Sequence, residues 1–211
     1  MDDKLNGIYT RYYTNGNIKT ISTYLNDELH GEQFLYYDNG FLNVRLNYVN
    51  NLMVGEQSIY DKDNDSVLIE KYNTVLLNDK IVMHGIYENF NKSFYSTLNF
   101  VNGILVGLQK FDIIVDSNTR FYIECNTNEL GQLHGLCVVN INNKTRFKAN
   151  YDSNSKVDDQ YINTITNLLD SYNNYTNNIL NGESGVADIN GKVLKVMYEN
   201  GLINKSGLVT S

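Results

Sequence analysis

Short apolar-rich runs alternate with polar turns along most of the chain. Phe34-Leu35-Tyr36-Tyr37 is one such run. In Leu42-Asn43-Val44-Arg45-Leu46 the apolar positions recur every second residue, the period of a half-buried strand. Between the runs stand Thr14-Asn15-Gly16-Asn17, Asp38-Asn39-Gly40, Asp61-Lys62-Asp63-Asn64, Asp116-Ser117-Asn118 and Ile189-Asn190-Gly191. Asn-Gly between apolar runs is a strong hairpin signal, because both residues tolerate positive φ. Each unit therefore predicts strand, tight turn, strand and a short link to the next strand.

The units are copies of one another. Gly7, Gly31 and Gly55 are 24 residues apart, and Gly85, Gly107 and Gly135 continue the series at 30, 22 and 28. Asp158 stands at the next expected place, followed by Gly182 and Gly207. Tyr24, Tyr48, Phe100, Tyr151 and Tyr175 each precede one of these places by seven residues. Asn26, Asn50, Asn102 and Asn177 follow their aromatic by two. Tyr24-Leu-Asn-Asp-Glu-Leu-His-Gly-Glu-Gln repeats as Tyr48-Val-Asn-Asn-Leu-Met-Val-Gly-Glu-Gln.

A lone hairpin is marginal in water, whereas stacked hairpins pair their inner edges and share an apolar stripe. The predicted fold class is all-β: tandem antiparallel hairpins forming an elongated, twisted solenoid sheet. A single array of about eight units is expected over residues 1–211, clear over 1–150 and degenerate over 151–211. The recurring glycine marks the passage between hairpins, where positive φ or a close backbone approach is needed. Residues 159–175 carry two readings. Tyr161, Ile162, Ile165, Leu168, Leu169 and Tyr172 fit an amphipathic helix capping the C-terminal edge, while the repeat register places a hairpin turn at Thr166-Asn167.

The pattern Tyr-x-Asn-x-x-x-x-Gly-x-x-x-x-Tyr, complete from Tyr24 to Tyr36 and from Tyr48 to Tyr60, resembles the MORN repeat. The likeness spans nearly the whole chain and fades after Gly135. It is closest to the variant with Asn two places after the aromatic and Gly-Glu after the link. The resemblance implies a β-hairpin solenoid used for protein–protein contact, scaffolding or peripheral membrane association. Its relatives include antitoxin-like bacterial proteins and proteins of large DNA viruses.

Composition narrows the function. The chain has 211 residues, 42% of them hydrophobic, with 17 Tyr, no Trp and no Pro. Tyr suits half-buried strands, where the ring packs and the hydroxyl stays wet. The formal charge of −7, without a basic run, argues against nucleic acid and against anionic lipid headgroups. Met1-Asp2-Asp3-Lys4 starts acidic with no apolar run behind it, which does not read as a secretory leader. Cys125 and Cys137, two cysteines in a long chain, read as reduced thiols in the cytoplasm, although neighbouring strands could bring them face to face.

Candidate chemistry is sparse. His30, His84 and His134 each precede a link glycine, and Val54, Val106 and Val157 occupy the same place elsewhere. At ~4.8 Å per strand these histidines lie roughly 19 Å apart, too far to share a metal. They read as recurring turn residues. Cys137 with His134 lacks a third orienting group for catalysis. Gly182-Glu-Ser-Gly185 lacks the lysine and length of a phosphate loop, and Glu32 and Glu56 are repeat residues rather than an acid/base pair. No enzyme, cofactor or metal site is expected.

Aromatics remain. Tyr12, Tyr36, Tyr60 and Phe90 stand five residues after their glycines and are expected to line the core face. Tyr9, Tyr13, Leu35, Tyr37 and Ile59 are expected on the opposite face as a candidate protein-binding surface, since Tyr is favoured at interfaces. The expected function is a non-enzymatic protein-binding scaffold. The alternatives are a toxin-neutralising (antitoxin or immunity) protein and a peripheral membrane-associated or self-assembling structural protein.

Overall fold

Strand order along the chain and strand order in the sheet coincide, as stacked hairpins require. The computed structural model describes residues 4–162, 169–176, 178–187, 193–200, 202–203 and 209–210. Two compact units divide the chain, Met1–Ile104 and Leu105–Ser211. Among the described residues every regular element is a strand. The first unit holds β1 (Gly7–Tyr12), β2 (Ile18–Leu25), β3 (Glu28–Tyr36), β4 (Leu42–Val49), β5 (Leu52–Met53), β6 (Gly55–Tyr60), β7 (Leu68–Leu77), β8 (Lys80–Met83), β9 (Gly85–Asn91) and β10 (Phe94–Val101). β11 (Ile104–Leu105) lies at the boundary. The second unit holds β12 (Gly107–Asp116), β13 (Thr119–Thr127), β14 (Gly135–Ile141), β15 (Lys144–Asp152), β16 (Ser155–Ile162), β17 (Leu169–Thr176), β18 (Ile179–Leu180), β19 (Gly182–Ala187), β20 (Val193–Glu199), β21 (Leu202–Ile203) and β22 (Val209–Thr210). Neighbours pair antiparallel, as in β1–β2, β2–β3 and β3–β4 or β12–β13, β13–β14 and β14–β15.

Two kinds of turn alternate, and they divide the Asn and Gly residues between them. At the links, Asn26-Asp27, Asn50-Asn51, Asn78-Asp79 and Ser153-Asn154 have positive φ at both residues, the signature of the two-residue type I′ hairpin, and the mid-repeat Asn142-Asn143 turn shares it. The mid-repeat Asn-Gly turns are a different class. Tyr13 N–H donates to Asn17 O (2.7 Å) and Gly16 N–H to Tyr13 O (3.0 Å), so only Gly16 (φ 88°) enters the left-handed region. Asp38-Asn39-Gly40 repeats this geometry, with Tyr37 N–H to Phe41 O at 2.8 Å. The sequence signal thus locates the hairpin correctly, while most of the tightest turns fall at the links.

Ladder pairing is interrupted at the links, as a register shift at β2–β3 and β15–β16. β2–β3 pairing slips between Ser22 and Tyr24, opposite Gly31, whose φ is 93°. The extra residue sharpens the local twist. Side chains across the bulge tie it down: Thr23 Oγ1 donates to Glu32 O (3.2 Å), and Asn47 Nδ2 and Asn174 Nδ2 donate to Glu56 O and Glu183 O.

A third ladder joins successive repeats. In three link turns the second residue accepts from a backbone N–H about 22 residues earlier. Leu5 N–H donates to Asp27 Oδ1 (2.7 Å), Leu29 N–H to Asn51 Oδ1 (2.8 Å) and Leu133 N–H to Asn154 Oδ1 (2.7 Å). The bond is returned by the backbone, with Asp27 N–H to Leu5 O, Asn51 N–H to Leu29 O and Asn154 N–H to Leu133 O. The abundance of Asn has a structural cause here: it supplies positive φ and the inter-repeat clasp at once.

The contested segment 159–175 is extended where it is described. β16 and β17 pair antiparallel from Asp158↔Asn174 to Ile162↔Leu169, so its flanks are strands and the helix reading is corrected. The turn expected at Thr166-Asn167 lies outside the described residues, as does Ile189-Asn190-Gly191. The repeat register prevails because Asn173 and Tyr175 find partners on Asp159 that a helix would not provide.

A conventional core is absent. Among the described residues only Cys137 and Ala149 are buried hydrophobics. The other buried side chains are polar, including Ser22, Gln57, Thr74, Ser96, Gln109 and Asp159. Cys125 and Cys137 stand on the paired strands β13 and β14 with Cα atoms 4.2 Å apart and are joined as a disulfide. The expectation of reduced thiols is corrected: strand pairing places the two directly opposite.

Candidate protein-binding face

The two faces of the first unit differ in chemistry. On one, Tyr9 lies opposite Ser22, and Ser22 opposite Gln33. Leu35 lies opposite Val44 and Val44 opposite Ile59, so these three form a row across β3, β4 and β6. Leu46 faces Gln33, and Gln57 faces Tyr72. The rings of Tyr72 and Tyr87 lie 6.3 Å apart at a tilt of 30°, and Leu98 pairs with Tyr87. Leu35, Val44, Leu46, Ile59, Tyr72, Tyr87 and Leu98 are all half-buried. Burial pushes the Tyr72 and Tyr87 phenols up from their ordinary value. The extensive contacts of the unit are all between sheet neighbours, so its own strands flank this stripe and do not roof it.

The opposite face carries a row of alternating charge. Arg45 bonds Glu32, Arg45 Nη1 lies 3.8 Å from Glu56, and Lys71 Nζ lies 2.9 Å from the same carboxylate. The hydrogen bond from Lys71 to Glu56 raises the Lys71 ammonium above its ordinary value. These groups are substantially exposed, so each pair adds little stability and the row mainly keeps the face hydrated. Tyr12, Tyr36 and Phe90 belong to this face. Tyr12 is 63% exposed, so the expectation that this aromatic set forms the core is corrected. Its face has no second layer, and the apolar stripe runs along the other side.

The five candidate residues separate into two groups. Tyr9, Leu35 and Ile59 lie on the apolar face. Tyr9 is 43% exposed and packs edge-on against Tyr24, with ring centroids 6.5 Å apart. Leu35 and Ile59 are the middle of the stripe. Tyr13 and Tyr37 stand at its turn end, and their hydroxyls serve the array. Tyr13 OH donates to Tyr36 O (2.7 Å), and Tyr37 OH to Tyr60 O (3.0 Å). Each tyrosine thereby tethers its turn to the next hairpin. Val44, Leu46, Tyr72 and Tyr87 escaped the sequence reading. Their signal was the alternation in Leu42–Leu46, which places Val44 and Leu46 on one face but does not say which.

The histidines are also repeat parts. His30 Nδ1 lies 3.1 Å from Asn50 Oδ1 and His84 Nδ1 lies 3.3 Å from Asn102 Oδ1, while His134 Nδ1 lies 3.3 Å from Asp152 Oδ1. His30 and His84 meet the first residue of a link turn, and His134 the residue before one. Among the described residues no three His, Cys, Asp or Glu side chains come together as a metal site. A hollow of about 380 Å³ opens at the turn end near Asp61, Glu70 and Lys92. Its Asp61 carboxylate is engaged by its own turn, accepting from Asp63 N–H (2.7 Å) and Asn64 N–H (3.0 Å), which holds it below the usual carboxylate range. Among the described residues no helix is long and apolar enough to cross a membrane.

In the second unit, Asp159 is the group that sequence reading missed. It is 1% exposed and lies on a strand, opposite Ala149. Lys156 Nζ (3.0 Å), Asn173 Nδ2 (2.8 Å) and Tyr175 OH (3.1 Å) satisfy it. Lys156 also sits over the rings of Phe147 and Tyr175, at 5.9 and 5.2 Å. Every donor is thus aimed at the carboxylate or held by a ring, which suits a register lock for the degenerate repeats.

Comparison with known protein families yields no matching family model, and no curated protein matches the chain.

Proposed function

We propose that the chain is a non-catalytic, protein-binding repeat module of the MORN-like hairpin kind. The apolar face of the first unit is its docking surface. The observation that carries this reading is the contrast between faces. One side presents Leu35, Val44, Leu46, Ile59, Tyr72 and Tyr87 as a half-buried stripe whose middle holds a single charged residue, Glu70, opposite Ile59. The other spends its charged side chains on mutual pairs. A stripe of aliphatic and aromatic side chains about two residues wide fits the apolar side of an amphipathic helix or an extended segment of a partner protein. Tyr and aliphatic anchors suit this role, since they bring large contact area at low entropic cost.

The test is a pull-down of the tagged full chain from its source cells, compared with a Leu35→Thr/Ile59→Thr double variant. Threonine is well suited to a strand at both positions and removes most of the apolar surface. The proposal expects a stoichiometric protein that is lost from the variant while its circular dichroism stays that of the parent. Undiminished recovery by the folded variant would overturn it.

A further inference from the structure

Among the described residues the first strand is paired along one edge only, and the geometry points to a second copy of this chain as the occupant of the other. Independently of the apolar face, we infer that two chains pair antiparallel through Gly7–Tyr12 with Thr10 on the two-fold axis. Among the described residues β1 pairs only with β2, whereas β2, β3 and β4 have neighbours on both sides. Tyr13 N–H and C=O turn inward, to Asn17 and Gly16. Alternation along an antiparallel strand then turns Arg11, Tyr9 and Gly7 toward β2, and Tyr12, Thr10 and Ile8 outward. The equivalent residue of the next hairpin agrees, since Tyr36 C=O points back to accept the Tyr13 hydroxyl.

Those three outward residues make the edge self-complementary. An added antiparallel strand bonds only through residues whose N–H and C=O face it. Two copies of β1 engage all three only in one register: Thr10 opposite Thr10 and Ile8 opposite Tyr12 on both sides. Every other register leaves at least one of the three without a partner. The chosen register also sets Ile8 against Tyr12. They are 75% and 63% exposed, the two most exposed large apolar side chains of the first unit. A pair of threonines and two aliphatic–aromatic pairs are favourable cross-strand partners. On the other face Arg11 lies opposite Tyr9 of the second copy, the same two residue types that already meet within one chain, where the Arg11 guanidinium lies 5.5 Å from the Tyr9 ring centroid. β1 also lacks the features that blunt an edge. Its only charged residue is Arg11, it contains no proline, and its one register irregularity with β2 skips Lys19 on β2.

The experiment is sedimentation equilibrium of the full chain over rising concentration, with Thr10→Pro and Ile8→Lys variants and thermal melts of all three. The expected result is a concentration-dependent rise toward twice the 24.2 kDa chain mass. Both variants should stay at the monomer mass and melt where the parent melts when it is too dilute to dimerise, because the altered groups make no contact with β2 that the fold needs. Ile8→Lys keeps the test decisive if Thr10→Pro disturbs β1. Oxidation of a Thr10→Cys variant should link two chains directly, since residues in a hydrogen-bonded pair are about 5.5 Å apart at Cα. A monomer at every concentration, or a dimer indifferent to Ile8→Lys, would overturn the inference.

Discussion

Asn51 offers a direct measure of what holds one hairpin to the next. Its Oδ1 accepts Leu29 N–H at 2.8 Å, its own N–H donates to Leu29 O at 2.9 Å, and its φ is 65°. Two substitutions separate these roles. Asn51→Gly keeps the left-handed backbone without strain and deletes the side-chain acceptor, which should cost about 1 kcal/mol, the net worth of one hydrogen bond. Asn51→Ala deletes the acceptor and also forces a β-carbon into the left-handed region, adding about 1 kcal/mol for a total of about 2 kcal/mol. Urea unfolding gives the global values. Hydrogen exchange at the Leu29 amide gives the local one, and its protection should fall about fivefold in Asn51→Gly. If Asn51→Gly were as stable as the parent and Leu29 equally protected, the clasp would contribute nothing and the turn conformation alone would explain the asparagine.

Other consequences concern the second unit. Lys156→Met should cost about 3 kcal/mol in chemical denaturation, because it leaves the buried Asp159 carboxylate without its counter-ion; Asp159→Leu in the same chain should recover much of that loss. The Tyr122 hydroxyl, bonded to Glu124 (2.6 Å) and partly buried, is pushed up to about 12, and Tyr172, by burial and its bond to Glu183, also to about 12. A phenol raised above its unfolded value near 10 stabilises the fold fully below that pH and loses this contribution as pH rises through about 12. Ultraviolet titration of tyrosinate should therefore show Tyr122 and Tyr172 among the late phenols, with Tyr122→Phe and Tyr172→Phe each removing one. Denatured but unreduced protein should have no titratable thiol, and reduction should cost about 3 kcal/mol for a bridge spanning 12 residues.

What could be read from the chain was whatever repeats. Gly7, Gly31 and Gly55 at a fixed interval mark the passages between hairpins, because each takes the left-handed conformation that glycine adopts freely. The hairpin positions followed for the same reason. Turn class did not follow, since Asn15-Gly16 and Asn50-Asn51 are both acceptable to a type I′ turn and only the hydrogen bonds tell them apart. Groups that occur once were the least legible. Asp159 acquires meaning only from Lys156, Asn173 and Tyr175, and Cys125 meets Cys137 only when β13 and β14 pair. Alternation divided the aromatics between two faces without saying which is wet. The charges of Glu32, Arg45, Glu56 and Lys71 decide it once pairing aligns them in one row. Tyr13 and Tyr37 show the converse limit: their spacing marks them as a set, but the acceptors Tyr36 O and Tyr60 O lie in other hairpins.

The docking face is tested most directly by light-activated cross-linking in the source cells. A photoreactive phenylalanine analogue is placed at Ile59, in the apolar row, or at Glu56, in the charged row. The account predicts a discrete adduct with another protein from position 59 and none from position 56. Adducts from position 56 alone, or from neither position, would contradict it.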